Sequence, residues 1–589
     1  MVAHKDSEPA ADLAAILADV YKRAQPVMQR AMAEQSAEMQ EMMRYPMHLQ
    51  EAYAAMVTNM MGNPERMAAL QREYWENCTR LWQSTMARFQ GAPAEPLYAP
   101  DPADKRFKSP EWRDNLMYDF IRQSYLLTRE WMMKTVESAE GIDDHTRAKL
   151  DYATRQYLDA MAPTNFALTN PEIIAETVRT GGENLIHGLE NLVADMERGD
   201  GSLRISTTDD AAFTVGKNIA VSAGGVVYKN DMMELIQYDA ATEKVAKRPL
   251  LIVPPWINKY YILDLRPDNS LVKWLTGQGH TVFMISWVNP DETYRDVGFD
   301  DYMQDGILRA ATEIERITGE NSINAVGYCI GGTLLAITLA HLAAKGEAER
   351  IASSTLLTTL LDFEEAGELR LFIDKAQVDF LEQQMGRDGY LSALYLQRTF
   401  SSLRANDLIW SFVINNYLMG RAPRAFDLLY WNNDSTNLPM RMGCDYLRWM
   451  YLDNDLVKPE KLSVGGTPID LGAVKTPAYF LSAHDDHIAP WKATFAGPSL
   501  LGGESVFTLA KSGHIAGVVN PPAANKYGYY TADKTGGEPD AWLNAAAAQD
   551  GSWWPHWQNW AARFSGGEVP ARPVKDALAP APGRYVLKK

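Results

Sequence analysis

The 589-residue chain holds 46% hydrophobic and 22% charged residues, ordinary globular values that exclude a disordered scaffold. That length exceeds one ordinary core, so at least two domains are expected. A formal net charge of −18 excludes a general nucleic-acid binder, because such a balance releases no counterions from a phosphate backbone.

The first stretch, "MVAHKDSEPAADLAAILADVYKRAQ", breaks its apolar run with Asp12 and Asp19 and does not read as a signal peptide. From Asp12 to about Arg88 the texture is helical and Met-rich, as in "MQEMMRYPMHLQEAYAAMVTNMMG", with no glycine before Gly62. A flexible Met face of this kind reads as core in preference to a lipid or polymer contact. The Pro-rich connector "GAPAEPLYAPDPADKRF" leads to a second helical stretch ending near Met196. Texture changes again across "ERGDGSLRISTTDDAAF", which divides a mostly α-helical N-terminal domain, 1–205, from a second domain, 206–589. No run reaches the roughly 18 apolar residues of a membrane span. The cysteines, Cys78, Cys329 and Cys444, are too few and too far apart for a disulfide framework or a zinc site, so a reducing, cytoplasmic setting and no metal are expected.

Beyond the boundary, β-branched runs alternate with helical ones. The strand candidates are "GVVYKN", "MELIQY", "RPLLIVPP", "HTVFMISW", "SINAVGY", "IASSTLLTTLL", "TPAYFLSA" and "ESVFTLA", a rhythm that predicts an α/β fold with a mostly parallel sheet. About 362–456 interrupts it with helical, aromatic segments and reads as an insertion over the sheet, the usual place of a lid.

"VGYCIGG" sets Gly327 and Gly331 two residues either side of Cys329, between a strand and a helix. This is the pattern of a nucleophile elbow, a tight turn that lifts the side chain above the sheet. It also places the thiol at a helix N-terminus, whose dipole and free N–H groups favour a thiolate. In this architecture an acid and then a histidine follow the nucleophile in chain order. "FLSAHDDHIAPW" offers Asp485 and Asp486, with Asp486 preferred as the orienting acid, and "FTLAKSGHIAGVVNPP" offers His514 as the base. His484 and His487 read as supporting or surface residues. An oxyanion hole combines the backbone N–H of Ile330 with one from the loop after "LLIVPP", where prolines cannot donate. Trp256 or Ile257 then supplies it, with Ile257 preferred.

With these residues assembled, the chain resembles polyhydroxyalkanoate synthases, most closely the class I type that polymerises short 3-hydroxyacyl-CoA substrates. The resemblance rests on "DKRFKSPEWRDN", "AMAPTNFALTNPE", "PPWINKYYILDL", "VGYCIGGT", "LLTTLLDF", "RANDLIW", "FDLLYWNNDSTNLP", "HDDHIAPW", "SGHIAGVVNPP" and "GSWWPHW", and covers about Asp104 to the C-terminus. It places the family's catalytic cysteine on Cys329, its aspartate on Asp486, its histidine on His514 and its oxyanion amide in the segment where Trp256 fills the variable position. It implies an α/β-hydrolase-like catalytic domain with a helical cap, about 362–456, and a substrate such as (R)-3-hydroxybutyryl-CoA. It further implies CoA as a product with no other cofactor, a growing polyester chain, and a homodimer on cytoplasmic polyester granules and among their associated proteins. Arg404 in "SSLRANDLIW" is a candidate contact for CoA phosphate, against the alternative of a solvated helix face.

Two further readings compete. A cysteine-elbow hydrolase of the dienelactone-hydrolase kind would release free acid, but it needs neither the long helical region nor the large insertion. A non-catalytic granule-coating protein would use the Met-rich arm and Trp553, Trp554, Trp557 and Trp560 as apolar surface, although a tryptophan helix face more often packs internally.

Overall fold

A computed structural model describes residues 16, 18–27, 29–30, 46–92, 95–199 and 202–589. The readings of the extreme N-terminus and of the start of the Met-rich run fall on 1–15 and 31–45, outside the described residues. The chain forms two compact units, 1–209 with 404–424 and 210–403 with 425–589.

The first unit is helical: α1 (Pro46–Met61), α2 (Pro64–Phe89), α3 (Leu116–Glu137), α4 (Asp144–Ala160), α5 (Pro171–Thr180) and α6 (Glu183–Arg198). Local chemistry sets the starts. Asn63 and Asn170 cap α2 and α5, each followed by a proline at the first helical position, where a missing N–H costs nothing. The Met-rich face divides: Met56 is buried with Ala52, Val136 and Leu150, while Met61 is exposed. The middle of the expected insertion, 404–424, belongs with this unit, and α6 shows why. Asn184 and Asn191 donate to the carbonyls of Leu418 (2.8 Å) and Asn416 (2.9 Å), and between them Gly188 lets the Tyr417 backbone approach to where a Cβ would lie 1.8 Å from its carbonyl oxygen. A helix face built of amides and one glycine carries little hydrophobic signal, so the sequence rhythm does not reveal that pairing.

The second unit is built on an eleven-stranded sheet among the described residues. Its strands are β1 (Gly224–Lys229), β2 (Met233–Tyr238), β3 (Leu250–Val253), β4 (Val282–Trp287), β5 (Ile323–Tyr328), β6 (Ile351–Leu357), β7 (Ala478–Ala483), β8 (Ser505–Ala510), β9 (Tyr529–Thr531), β10 (Ala547–Gln549) and β11 (Ala579–Pro580). Their spatial order is β10-β9-β8-β7-β6-β5-β3-β4-β2-β1-β11. From β8 to β4 the strands run parallel, and both flanks are antiparallel. The sheet is therefore mixed rather than mostly parallel. Each expected strand forms, and the central ones are buried along their length, which explains their unbroken apolar runs. The three unexpected strands are short edge pieces, and β11 tolerates Pro580 because only one neighbour pairs with it. Helix α7 (Ile330–Lys345) is buried on all sides from Ile330 to Leu342 and ends at Gly346, whose φ of 73° supplies the left-handed cap. Helices α8 (Lys375–Asp388) and α9 (Ala393–Leu403) and a π-helical segment, Tyr446–Leu452, contribute side chains to the wall of one cavity with Cys329.

Candidate active site

Cys329 is the single residue between β5 and α7, with φ 54° and ψ −126°. The strained dihedral thus falls on the cysteine itself, and the flanking glycines answer to space. A Cβ on Gly327 would meet the Gly332 Cα at 2.4 Å, and one on Gly331 would meet the Val253 and Pro254 carbonyl oxygens at 2.4 and 2.6 Å. Strand and helix can cross this closely only without those side chains. Gly331→Ala is accordingly expected to lower stability by about 1–3 kcal/mol in urea unfolding, since backbone carbonyls cannot move aside as a flexible side chain can. The Cys329 amide donates to Leu357 O at 2.9 Å, tying the elbow to β6.

His514 and Asp486 follow the ends of β8 and β7, at the same sheet edge. His514 Nδ1 meets Asp486 Oδ2 at 2.6 Å, and both side chains are buried. Asp486 Oδ1 accepts the amides of Ile488 (2.8 Å) and Ala489 (2.9 Å), so the carboxylate has little freedom to turn. Asp485 is solvated and pairs with exposed His484 at 2.8 Å. Burial alone pushes the His514 ring down. The Asp486 carboxylate outweighs it, with Cys329 near enough to hydrogen-bond the ring adding to the effect, and the net shift is upward to about 10. Because the folded-state value lies above the ordinary 6.5, the stability contributed is complete below pH 6.5 and is lost as pH rises through about 10. Thermal unfolding followed across that window should show this loss in the native protein, and Asp486→Asn should remove most of it.

Tyr328, beside the nucleophile, stacks on the His514 ring with centroids 5.6 Å apart and donates to the His514 carbonyl at 3.2 Å. The loop after His514 is anchored by α10 (Trp554–Ala561) and the residue before it. Trp553 Nε1 donates to Gly517 O at 2.9 Å and Trp554 Nε1 to Val518 O at 3.0 Å. Trp553, Trp554, Trp557 and Trp560 are all buried, so this face is internal and gives no surface to a coating role.

Cys329 opens into a cavity of about 100 Å³ that Ile330 and Ile257 also line. Its remaining wall is largely apolar and aromatic, including Phe372, Phe400, Tyr446 and Tyr451, with Thr333, Thr358 and Thr399 among them. The π-helical Tyr446–Leu452 segment brings two tyrosines five residues apart to this one wall, with ring centroids 5.4 Å apart. Trp256 turns away: it is 1% exposed and packs against Trp287, Phe299 and Tyr302. Arg404 lies in the helical unit, about half exposed, with its guanidinium 3.9 Å from Asp407, whereas every residue lining the cavity belongs to the other unit. Sequence reasoning missed Tyr328, Tyr446 and Tyr451. Only Tyr328 carried a local signal, its place beside the elbow cysteine. Among the described residues no cluster of side chains could hold a metal ion.

The arrangement offers a sulfur nucleophile, a buried ring able to hold its proton, a carboxylate that fixes the ring, and Ile330 and Ile257 lining the same cavity as the sulfur. Those are the parts of acyl transfer through a covalent intermediate. Residues 103–275 match the family model described as Poly-beta-hydroxybutyrate polymerase (PhaC) N-terminus, and residues 249–521 match the alpha/beta hydrolase fold. The chain is 49% identical to a poly(3-hydroxyalkanoate) polymerase of Methylorubrum extorquens over 90% of its own length and 88% of the other. It is 46% identical to the poly(3-hydroxyalkanoate) polymerase subunit PhaC of Rhizobium meliloti (strain 1021), covering 89% and 86% of the two chains. For that subunit from Cupriavidus necator the identity is 44%, covering 89% of each. Identities of 44–49% to such polymerases over about nine-tenths of the chain, with the PhaC N-terminal and alpha/beta hydrolase models both matched, mean that this chain belongs to the poly(3-hydroxyalkanoate) polymerase family.

Proposed function

We propose that the protein is an acyltransferase that polymerises short-chain (R)-3-hydroxyacyl-CoA, chiefly 3-hydroxybutyryl-CoA, into polyester with release of CoA. The observation that carries this reading is the buried His514–Asp486 pair, 2.6 Å apart, beside an elbow cysteine that faces an apolar cavity. The raised proton affinity of His514 suits the ring to take the thiol proton as Cys329 attacks. Cys329 sulfur attacks the CoA thioester carbonyl, and the developing oxyanion is met by the amides of Ile330 and Ile257. CoA leaves with the proton from His514. The neutral ring then takes the proton of an incoming 3-hydroxyl, whose oxygen attacks the Cys329 thioester and lengthens the chain by one ester. Sulfur leaves, and the ring keeps the proton for the next cycle.

The choice of sulfur follows from energetics. Exchange of an acyl group between two thiols is nearly isoenergetic, so the enzyme retains an activated thioester and the following ester-forming step runs downhill. Hydrolysis is downhill too, and the apolar wall of the cavity favours polymer over free acid by keeping water out. No cofactor is needed beyond the CoA carried by the substrate. The protein is read as acting in the cytoplasm as a homodimer at the surface of polyester granules; among the described residues no helix is long and apolar enough to cross a membrane.

Mixing the purified protein with 3-hydroxybutyryl-CoA and following released CoA together with polymer tests class and substrate in one assay. Free 3-hydroxy acid as the sole product would replace this reading with the hydrolase. Cys329→Ser probes the role of sulfur itself. A hydroxyl is a much weaker acid than a thiol and depends wholly on His514, so acylation should slow greatly, and the oxygen ester that forms lacks the drive for chain growth. A long-lived acyl-enzyme and little polymer are expected, with free acid as the main product. Long polyester at near wild-type rate would contradict the thioester argument.

A further inference from the structure

We infer that Thr436 is a positioning residue that aims the Ile257 amide at the reaction centre; this rests on the reading of that amide as an oxyanion donor. Thr436 is 3% exposed and clamps the loop at both peptide planes flanking Ile257. Its hydroxyl donates to the Trp256 carbonyl, and its own amide donates to the Ile257 carbonyl at 2.9 Å. In a trans peptide the carbonyl and the following N–H point in opposite directions. Holding the Trp256 oxygen on one side therefore fixes the Ile257 N–H on the other, and Ile257 shares the cavity wall with Cys329.

The clamp is itself held from both sides. Asn258 pairs with Ser435 across a backbone bridge, and the Asn437 amide donates to Asn289 Oδ1 at 2.9 Å. An oxyanion donor acts only if it is directed before the reaction begins, because no interaction is then spent on turning it. The two prolines before Trp256 cannot anchor this loop through N–H groups. Thr436, distant in sequence, supplies that anchorage.

The test compares Thr436→Val, which keeps shape and loses the hydroxyl, with Thr436→Ser, which keeps the hydroxyl. Two rates are read in the full-length protein: acylation by 3-hydroxybutyryl-CoA, as the burst of CoA, and alkylation of Cys329 by iodoacetamide, which needs no oxyanion donor. For Thr436→Val we expect acylation to fall by about 10²-fold, the scale for a misplaced or lost donor, with KM and alkylation unchanged. Thr436→Ser should recover most of the rate. Unchanged acylation in a folded Thr436→Val protein overturns the inference, as does a parallel loss of acylation and alkylation in both variants, since the residue would then support the whole unit. Replacing the Ile257 amide by a backbone ester separates the two levels. If the ester variant is slow and Thr436→Val is normal, only the role of Thr436 falls; if the ester variant is normal, the oxyanion reading falls and the inference with it.

Discussion

Cys329→Ala is expected to reduce CoA release from 3-hydroxybutyryl-CoA by about 10⁶-fold, the loss typical of deleting a nucleophile that acts as one unit with its base. The variant removes the sulfur proposed to hold the acyl group, and neither Cys78 nor Cys444 stands at an elbow to replace it. The fold should survive. Alanine keeps the Cβ and adopts the same φ of 54°, the Gly327 and Gly331 contacts are untouched, and the half-buried sulfur contributes little packing. Stability within about 1 kcal/mol of the native protein is expected. CoA release assayed beside circular dichroism separates a lost nucleophile from a lost fold, and retained turnover in a folded variant would remove Cys329 from the mechanism.

The second large effect belongs to Asp486. Asp486→Asn preserves the shape of the side chain but removes the charge that does most to raise the His514 proton affinity, and it allows the ring to adopt the wrong tautomer. A fall in turnover of about 10⁴-fold is expected, on the scale seen when a triad carboxylate is neutralised in place. Asp485→Asn should stay within about twofold, because that carboxylate is solvated and pairs with His484, whose own side chain is exposed. The reverse pattern would exchange the two roles. The His514 ring resonances, followed against pH, give an independent reading: their midpoint should move down in Asp486→Asn.

The sequence made the central sheet legible because a strand buried on both faces writes itself as an unbroken apolar run, as in "LLIV" and "VFMISW". The elbow was legible for a different reason. Helix and strand pass so closely at Cys329 that only glycine fits at 327 and 331, and spacing alone records that demand. Elements held by long-range polar contacts left no such trace. The attachment of 404–424 to α6 rests on amide side chains, and the clamp on Ile257 rests on Thr436, some 180 residues away. Tyr446 and Tyr451 share a wall because their segment is π-helical, a geometry that ordinary helical periodicity does not anticipate. The short antiparallel flanks escaped because two or three residues of mixed polarity carry no period.

Cys329 is proposed to carry the growing polyester as a thioester. Intact mass spectrometry of the full-length protein, quenched during turnover with 3-hydroxybutyryl-CoA and followed by peptide mapping, tests it directly. A ladder of masses spaced by one 3-hydroxybutyryl unit, confined to the peptide containing Cys329 and removed by neutral hydroxylamine, is the predicted result. Polymer formation with the Cys329 peptide unmodified throughout would contradict the account.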